Sequence, residues 1–126
     1  MSDVPVHEKP EKGTCHIYLG ISTKESQIGG RWAVLISSGD QMYSAYYSVS
    51  SPSRYSLHEK KVLHNQSSSH YLMIFTTAYR LGCLQEERLG LFLEIFDSAK
   101  PGPDQFFAVR FLYGLYQQGI LEPRRF

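Results

Sequence analysis

The sequence predicts an α+β domain, with a mostly antiparallel sheet of about five strands followed by two helices. Three observations carry that reading. Segments rich in β-branched and aromatic residues fill the first two thirds of the chain. Apolar spacing then changes from strand-like to helical after Leu84. Strands and helices nowhere alternate as βαβ units would require. At 126 residues the chain fits one domain able to bury a core without disulfides.

Residues 1–13, polar and proline-containing, read as a flexible arm ending at Gly13, and residues 14–122 as the domain. His16-Ile17-Tyr18-Leu19-Gly20-Ile21 is a short strand, and residues 24–30 are a polar loop closed by Gly29-Gly30. Residues 31–37 (Arg-Trp-Ala-Val-Leu-Ile-Ser) are apolar on both faces, as a central strand must be. Gly39-Asp40 reads as a hairpin connection into a tyrosine-rich strand over 42–49. A Ser/Pro loop precedes a fourth strand over 56–64, with a polar turn over 65–69. Residues 70–81 give the strongest strand signal, through Tyr71, Ile74, Phe75, Thr76, Thr77 and Tyr79.

Over 84–98, Leu89, Phe92, Leu93 and Phe96 fall at i, i+3, i+4 and i+7, one face of a helix. Pro101-Gly102-Pro103 breaks it. A second helix over 104–118 carries Ala108, Phe111, Leu112 and Leu115 on one stripe, with Gly119 placed to end it. Residues 123–126 are a tail.

Composition removes several function classes. A formal net charge of +1 with interspersed signs lacks the basic stripe of a nucleic-acid binder. No stretch is long and apolar enough for a signal peptide or a membrane span, so the expected setting is cytoplasmic and reducing. Two cysteines, Cys15 and Cys83, do not make a disulfide framework. Nine tyrosines and seven phenylalanines are the unusual feature. Tyrosine hydroxyls need partners when buried, so several should either line a pocket, a groove or an oligomer interface such as a homodimer's or sit half-buried on strand faces.

No complete catalytic motif is present. The histidines (His7, His16, His58, His64 and His70) show no metal-ligand spacing, and neither a metal nor a cofactor is expected. No serine lies in a G-x-S-x-G elbow. Gly29-Gly30 precedes a strand rather than a helix, so it does not cradle phosphate. Glu86-Glu87 suits a helix start. Cys83 reads as a small buried residue ahead of nucleophile, since no histidine is fixed near it by sequence. Asp104, after the Pro-Gly-Pro break, reads first as a helix cap.

The order of elements, together with several short runs, resembles small fungal proteins of a circularly permuted papain-like fold, similar to NlpC-type peptidases and lecithin:retinol acyltransferase-like enzymes. The runs are His16-Ile17-Tyr18-Leu19-Gly20, Arg31-Trp32-Ala33-Val34-Leu35 where the family has His-Trp-Ala-Leu, the strand over 42–49, Tyr79-Arg80-Leu81-Gly82, and the final helix from Gln105 to Gly119-Ile120-Leu121. The resemblance implies a catalytic cysteine at the head of the last helix, a histidine on a facing strand and a third polar residue on the next. Those positions hold Asp104, Arg31 and Tyr43 here. Aspartate performs no thiol chemistry, and a guanidinium cannot act as a base.

The resemblance therefore implies a cleft without its nucleophile. Asp104 and Arg31 would form either a charge-assisted pair that positions a polar ligand or an ordinary surface salt bridge where a site has decayed, and Trp32, Tyr46, Tyr47 and Phe107 would line the ligand side. The expected function is binding of a small organic molecule. With turnover, this would be a non-hydrolytic isomerase, cyclase or lyase of a fungal biosynthetic pathway, using Asp104, Arg31 or Tyr43 for proton transfer or carbonyl polarisation. The alternative is a pseudoenzyme whose aromatic surface contacts a protein partner or its own copy. A thiol enzyme using Cys83 or Cys15 is the third reading.

Overall fold

The computed structural model describes residues 2–3, 10–26, 28–38, 42–50, 57–67 and 74–122. Six strands form one antiparallel sheet: β1 (Ser2–Asp3), β2 (Thr14–Ser22), β3 (Trp32–Ser37), β4 (Met42–Ser50), β5 (His58–Ser67) and β6 (Phe75–Gln85). Their order across the sheet is β1-β6-β2-β3-β4-β5. A 3₁₀ turn (Glu86–Arg88) leads into helix α1 (Leu89–Ser98), and α2 (Asp104–Gln117) follows. The α+β class, with strands first and two helices last, is what the periodicity predicted. The extra strand is β1, two residues of the segment read as an arm, paired to β6 through Ser2↔Arg80 and Asp3↔Tyr79.

Both helices lie on one face of the sheet. Ile17 and Leu19 of β2, Val34 and Ile36 of β3, Tyr46 of β4 and Leu81 and Leu84 of β6 form one core with Phe92, Phe96, Phe107, Phe111 and Leu115. On the opposite face Tyr18, Ala33, Leu35, Tyr43, Ala45, Phe75 and Ala78 form a second cluster. β3 is buried on both sides, which is why its sequence shows no polar alternation.

The two cores are separated by the period-2 alternation of the strands, which register shifts interrupt in the β2–β6 and β4–β5 pairs. Along β6, Ile17 faces Gly82 while Tyr18 faces Arg80, so Leu81 is an extra, bulged residue. Leu81 and Leu84, three apart, consequently face the same helical layer. That spacing imitates a helix in the sequence. Pairing of Cys83, Leu84 and Gln85 with His16, Cys15 and Thr14 carries β6 on to Gln85, against an expected strand end at 81 and a helix from 84. Residues 70–73 of that expected strand lie outside the described residues, as do the Gly39-Asp40 turn and the Ser/Pro loop over 51–56.

β5 also runs further than expected, through Gln66 and Ser67, which pair with Tyr43 and Met42. Its position at the sheet edge explains this: an edge strand tolerates polar side chains that would otherwise signal a turn. Lys60 on β5 donates to the carbonyls of Phe96 and Asp97 at 2.9 and 2.6 Å, placing a cation at the C-terminal end of α1 where the helix dipole favours it.

α2 ends in a Schellman arrangement. Gly119 takes φ +75°, its N–H reaches Tyr116 O, and the Ile120 N–H reaches Leu115 O at 2.9 Å. Arg88 donates to the Gln118 and Gly119 carbonyls, covering that end. Among the described residues no helix is long and apolar enough to cross a membrane.

Candidate functional site

The three positions singled out as catalytic are held by different parts of the fold. The N-cap of α2, Pro103, makes no side-chain capping bond, and Asp104 is the first residue of the helix. Asp104 Oδ2 accepts the backbone N–H of Trp32 at 2.9 Å. The reason lies in the sheet. The β3–β4 ladder runs only from Ser37↔Tyr43 to Val34↔Tyr46, so Trp32 has no partner on β4. The α1–α2 connection enters that gap: Asp104 takes the Trp32 donor, and the Gly102 N–H reaches the buried Ser48 Oγ at 3.3 Å. A carboxylate here completes an interrupted ladder.

Arg31 precedes Trp32 and therefore points to the opposite side of the sheet. Its main chain is clamped to Ser22, with Arg31 N–H to Ser22 Oγ at 2.7 Å and Ser22 N–H to Arg31 O at 2.9 Å. No ion pair joins Arg31 to Asp104, in contrast to the charge-assisted pair the resemblance implied. Tyr43 lies on the same face as Arg31, at the far end of β3, where it pairs with Ser37. Six residues of strand separate the two ends, about 20 Å. The Tyr43 ring packs edge-on against Phe75 at 5.9 Å. Its hydroxyl is buried without a hydrogen-bond partner among the described residues, and that burial pushes the phenol up to about 12.

The residues expected to line a ligand cleft divide in the same way. Tyr46 and Phe107 sit inside the helix-side core. Tyr46 stacks edge-on with Phe92, Phe96 and Phe111 at 5.2, 5.0 and 6.4 Å, and Phe107 stands against Phe96 and Phe111. Trp32 is half-buried against the same cluster. These three therefore fill space. Tyr47 is different: it faces away from the helices into an open depression of about 350 Å³, lined also by Ser26, Ile28, Gly29, Arg31, Val49 and Lys61.

The depression brings together two of the residues predicted from sequence, Arg31 and Tyr47, and adds a third. Lys61 is the cross-strand partner of Tyr47. Burial raises the Tyr47 phenol, while the charges of Lys61 and Arg31 pull it back. Both cations thus lie near the hydroxyl. Lys61 pairs with Glu59 on its own strand, whereas Arg31 makes no ion pair among the described residues. The sequence offered no signal for Lys61, because its meeting with Tyr47 depends on the β4–β5 register, which shifts between Tyr43 and Ala45.

Among the described residues no group of three or more His, Cys, Asp and Glu could hold a metal ion. A second surface groove, of about 410 Å³, runs between α1 and α2 and includes Ile95, Arg110, Tyr113 and Gly114. No family model matches the chain, and no curated protein or solved structure matches it either.

Proposed function

We propose that this protein binds a small organic anion in the depression formed by Arg31, Tyr47 and Lys61, on a papain-like framework whose last helix begins with Asp104 in place of the cysteine. The observation that carries this reading is the Arg31 guanidinium, which opens on the depression beside a second cation and a phenol, with no ion-pair partner among the described residues. A guanidinium offers a planar fork of donors matched to carboxylate or phosphate. Ile28 and Val49 supply apolar contact for the remainder of the ligand. A protonated phenol beside two cations is equipped to polarise a carbonyl without covalent chemistry. An isomerase, cyclase or lyase is therefore the enzyme class that this reading carries, and a cysteine hydrolase is not.

A thermal-shift screen of small aryl carboxylates against aryl amines of matched size tests the proposal. Acids should raise the melting temperature of the wild type and amines should not. Both Arg31→Gln and Lys61→Gln should weaken the effect. If acids and amines behave alike, or Arg31→Gln leaves the acid shift intact, the pocket assignment fails.

The pseudoenzyme reading has one observation in its favour. Phe106, Val109 and Tyr113 of α2 are 65, 55 and 62% exposed, and at i, i+3 and i+7 they form one apolar stripe. A homodimer through that stripe would dissociate on Phe106→Ser with Tyr113→Ser, measured by light scattering. A monomeric wild type at high concentration would dispose of the dimer.

A further inference from the structure

Glu59 stands at the edge of the Arg31 depression. Residues two apart on a strand share a face, and the β4–β5 register sets Lys61 opposite Tyr47 and Glu59 opposite Val49. Tyr47, Val49 and Lys61 line the depression, so the Glu59 carboxylate lies on the same face as they do. It meets the Lys61 ammonium at 2.5 Å, with Lys61 50% and Glu59 42% exposed. The hydrogen bond to Glu59, and then its charge, hold Lys61 above the usual lysine range. Neither cysteine lines the depression: Cys15 is buried, and Cys83, against expectation, is exposed elsewhere on β6.

The two cations of the depression therefore differ in what they offer a ligand. Arg31 has no ion-pair partner among the described residues, and its planar fork serves a first carboxylate. Lys61 already shares its charge with Glu59. A second carboxylate on the ligand would compete with Glu59 for that ammonium and would stand beside a like charge.

We infer that Glu59 sets the ligand charge that the depression accepts: a monoanion is bound, and a dianion of the same shape gains nothing from its second charge. The inference rests on the anion-binding reading of this site. Glu59 acts through Lys61 rather than by touching the ligand, which makes it a residue that decides specificity. Without the Glu59 charge, the ammonium is available to a second carboxylate. Water and salt screen a pair this exposed, so the effect is severalfold rather than larger.

The probes are 3-carbamoylbenzoate and isophthalate, which share a shape and differ by one negative charge. NMR titrations at about pH 8 keep both fully ionised and histidine neutral. The wild type should bind the two with dissociation constants within about twofold of each other. Glu59→Gln should favour isophthalate by about fivefold at low salt, and the gain should fade as salt rises. Adding Lys61→Gln to Glu59→Gln should abolish the gain, which a merely structural role for Glu59 would not predict. Circular dichroism of each variant reports that the sheet is intact. An unchanged isophthalate preference in folded Glu59→Gln, or a gain that survives Lys61→Gln, would overturn the inference and leave the binding site standing. A wild type that binds neither probe would remove the anion-binding reading and this inference with it.

Discussion

The carboxylate of Asp104 accepts the main-chain N–H of Trp32 at 2.9 Å and so joins the head of the last helix to the start of a central strand. The bond exists because β3 and β4 stop pairing at Val34 and Tyr46, leaving that donor without a strand partner. An unsatisfied donor at such a place costs about 1–3 kcal/mol. Asp104→Ala should destabilise the protein by that amount in urea unfolding. Asp104→Asn, which keeps a carbonyl acceptor, should recover most of it. Equal losses in both variants would mean that charge, rather than the hydrogen bond, holds the junction.

Phe111 contacts the rings of Tyr46, Phe92, Phe96 and Phe107 and is fully buried. Truncating a buried phenylalanine leaves a cavity and costs about 3–5 kcal/mol. Phe111→Ala is expected in that range, whereas Phe106→Ala, on the exposed side of the same helix, should change stability by no more than about 0.5 kcal/mol. Denaturant midpoints of the two variants separate core from surface along α2.

Two helical glycines should respond in opposite directions to alanine. A Cβ on Gly114 would stand 2.8 Å from Ile95 Cγ2, so this glycine sets the approach of α2 to α1. A Cβ on Gly90 meets nothing within 4 Å. Gly90→Ala should gain about 0.5 kcal/mol from reduced unfolded-state freedom. The same gain at Gly114 should be outweighed by overpacking, about 1–3 kcal/mol. Melting temperatures that rise for Gly90→Ala and fall for Gly114→Ala are the expected pair.

Tyr43 carries a prediction in pH. Its phenol is pushed from 10.0 up to about 12 by burial, so between those values the unfolded chain has lost a proton that the folded chain keeps. The stability linked to this group is fully present below pH 10 and is lost as pH rises through about 12. Tyr43→Phe removes that part of the slope. It also removes a buried hydroxyl with no partner among the described residues, so it should stabilise the neutral protein by about 1 kcal/mol. Urea midpoints at pH 9 and pH 11 for the two proteins, compared as differences, read both effects. An identical pH slope in Tyr43→Phe would contradict the assignment.

The sequence by itself determined the class of fold and the composition of its core. Trp32 to Ser37 is apolar on both faces because both faces are covered, and Phe92, Phe96, Phe111 and Leu115 mark the inward sides of two helices because helical spacing repeats their burial. It located the boundary between β6 and the first helix less well, since β6 runs on to Gln85, past the expected strand end at Leu81.

The partition of the chemical groups was decided only by the tertiary structure. Arg31 and Trp32 are neighbours in sequence, yet strand alternation sends one to an open depression and the other against the helical core. The interrupted β3–β4 ladder gave Asp104 its partner, the β4–β5 register brought Lys61 to Tyr47, and the bulge turned Arg80 toward Cys83. Register and bulges are properties of strand pairs, fixed by backbone hydrogen bonds that all residues but proline can make. Side-chain identity along one strand therefore carries little record of them.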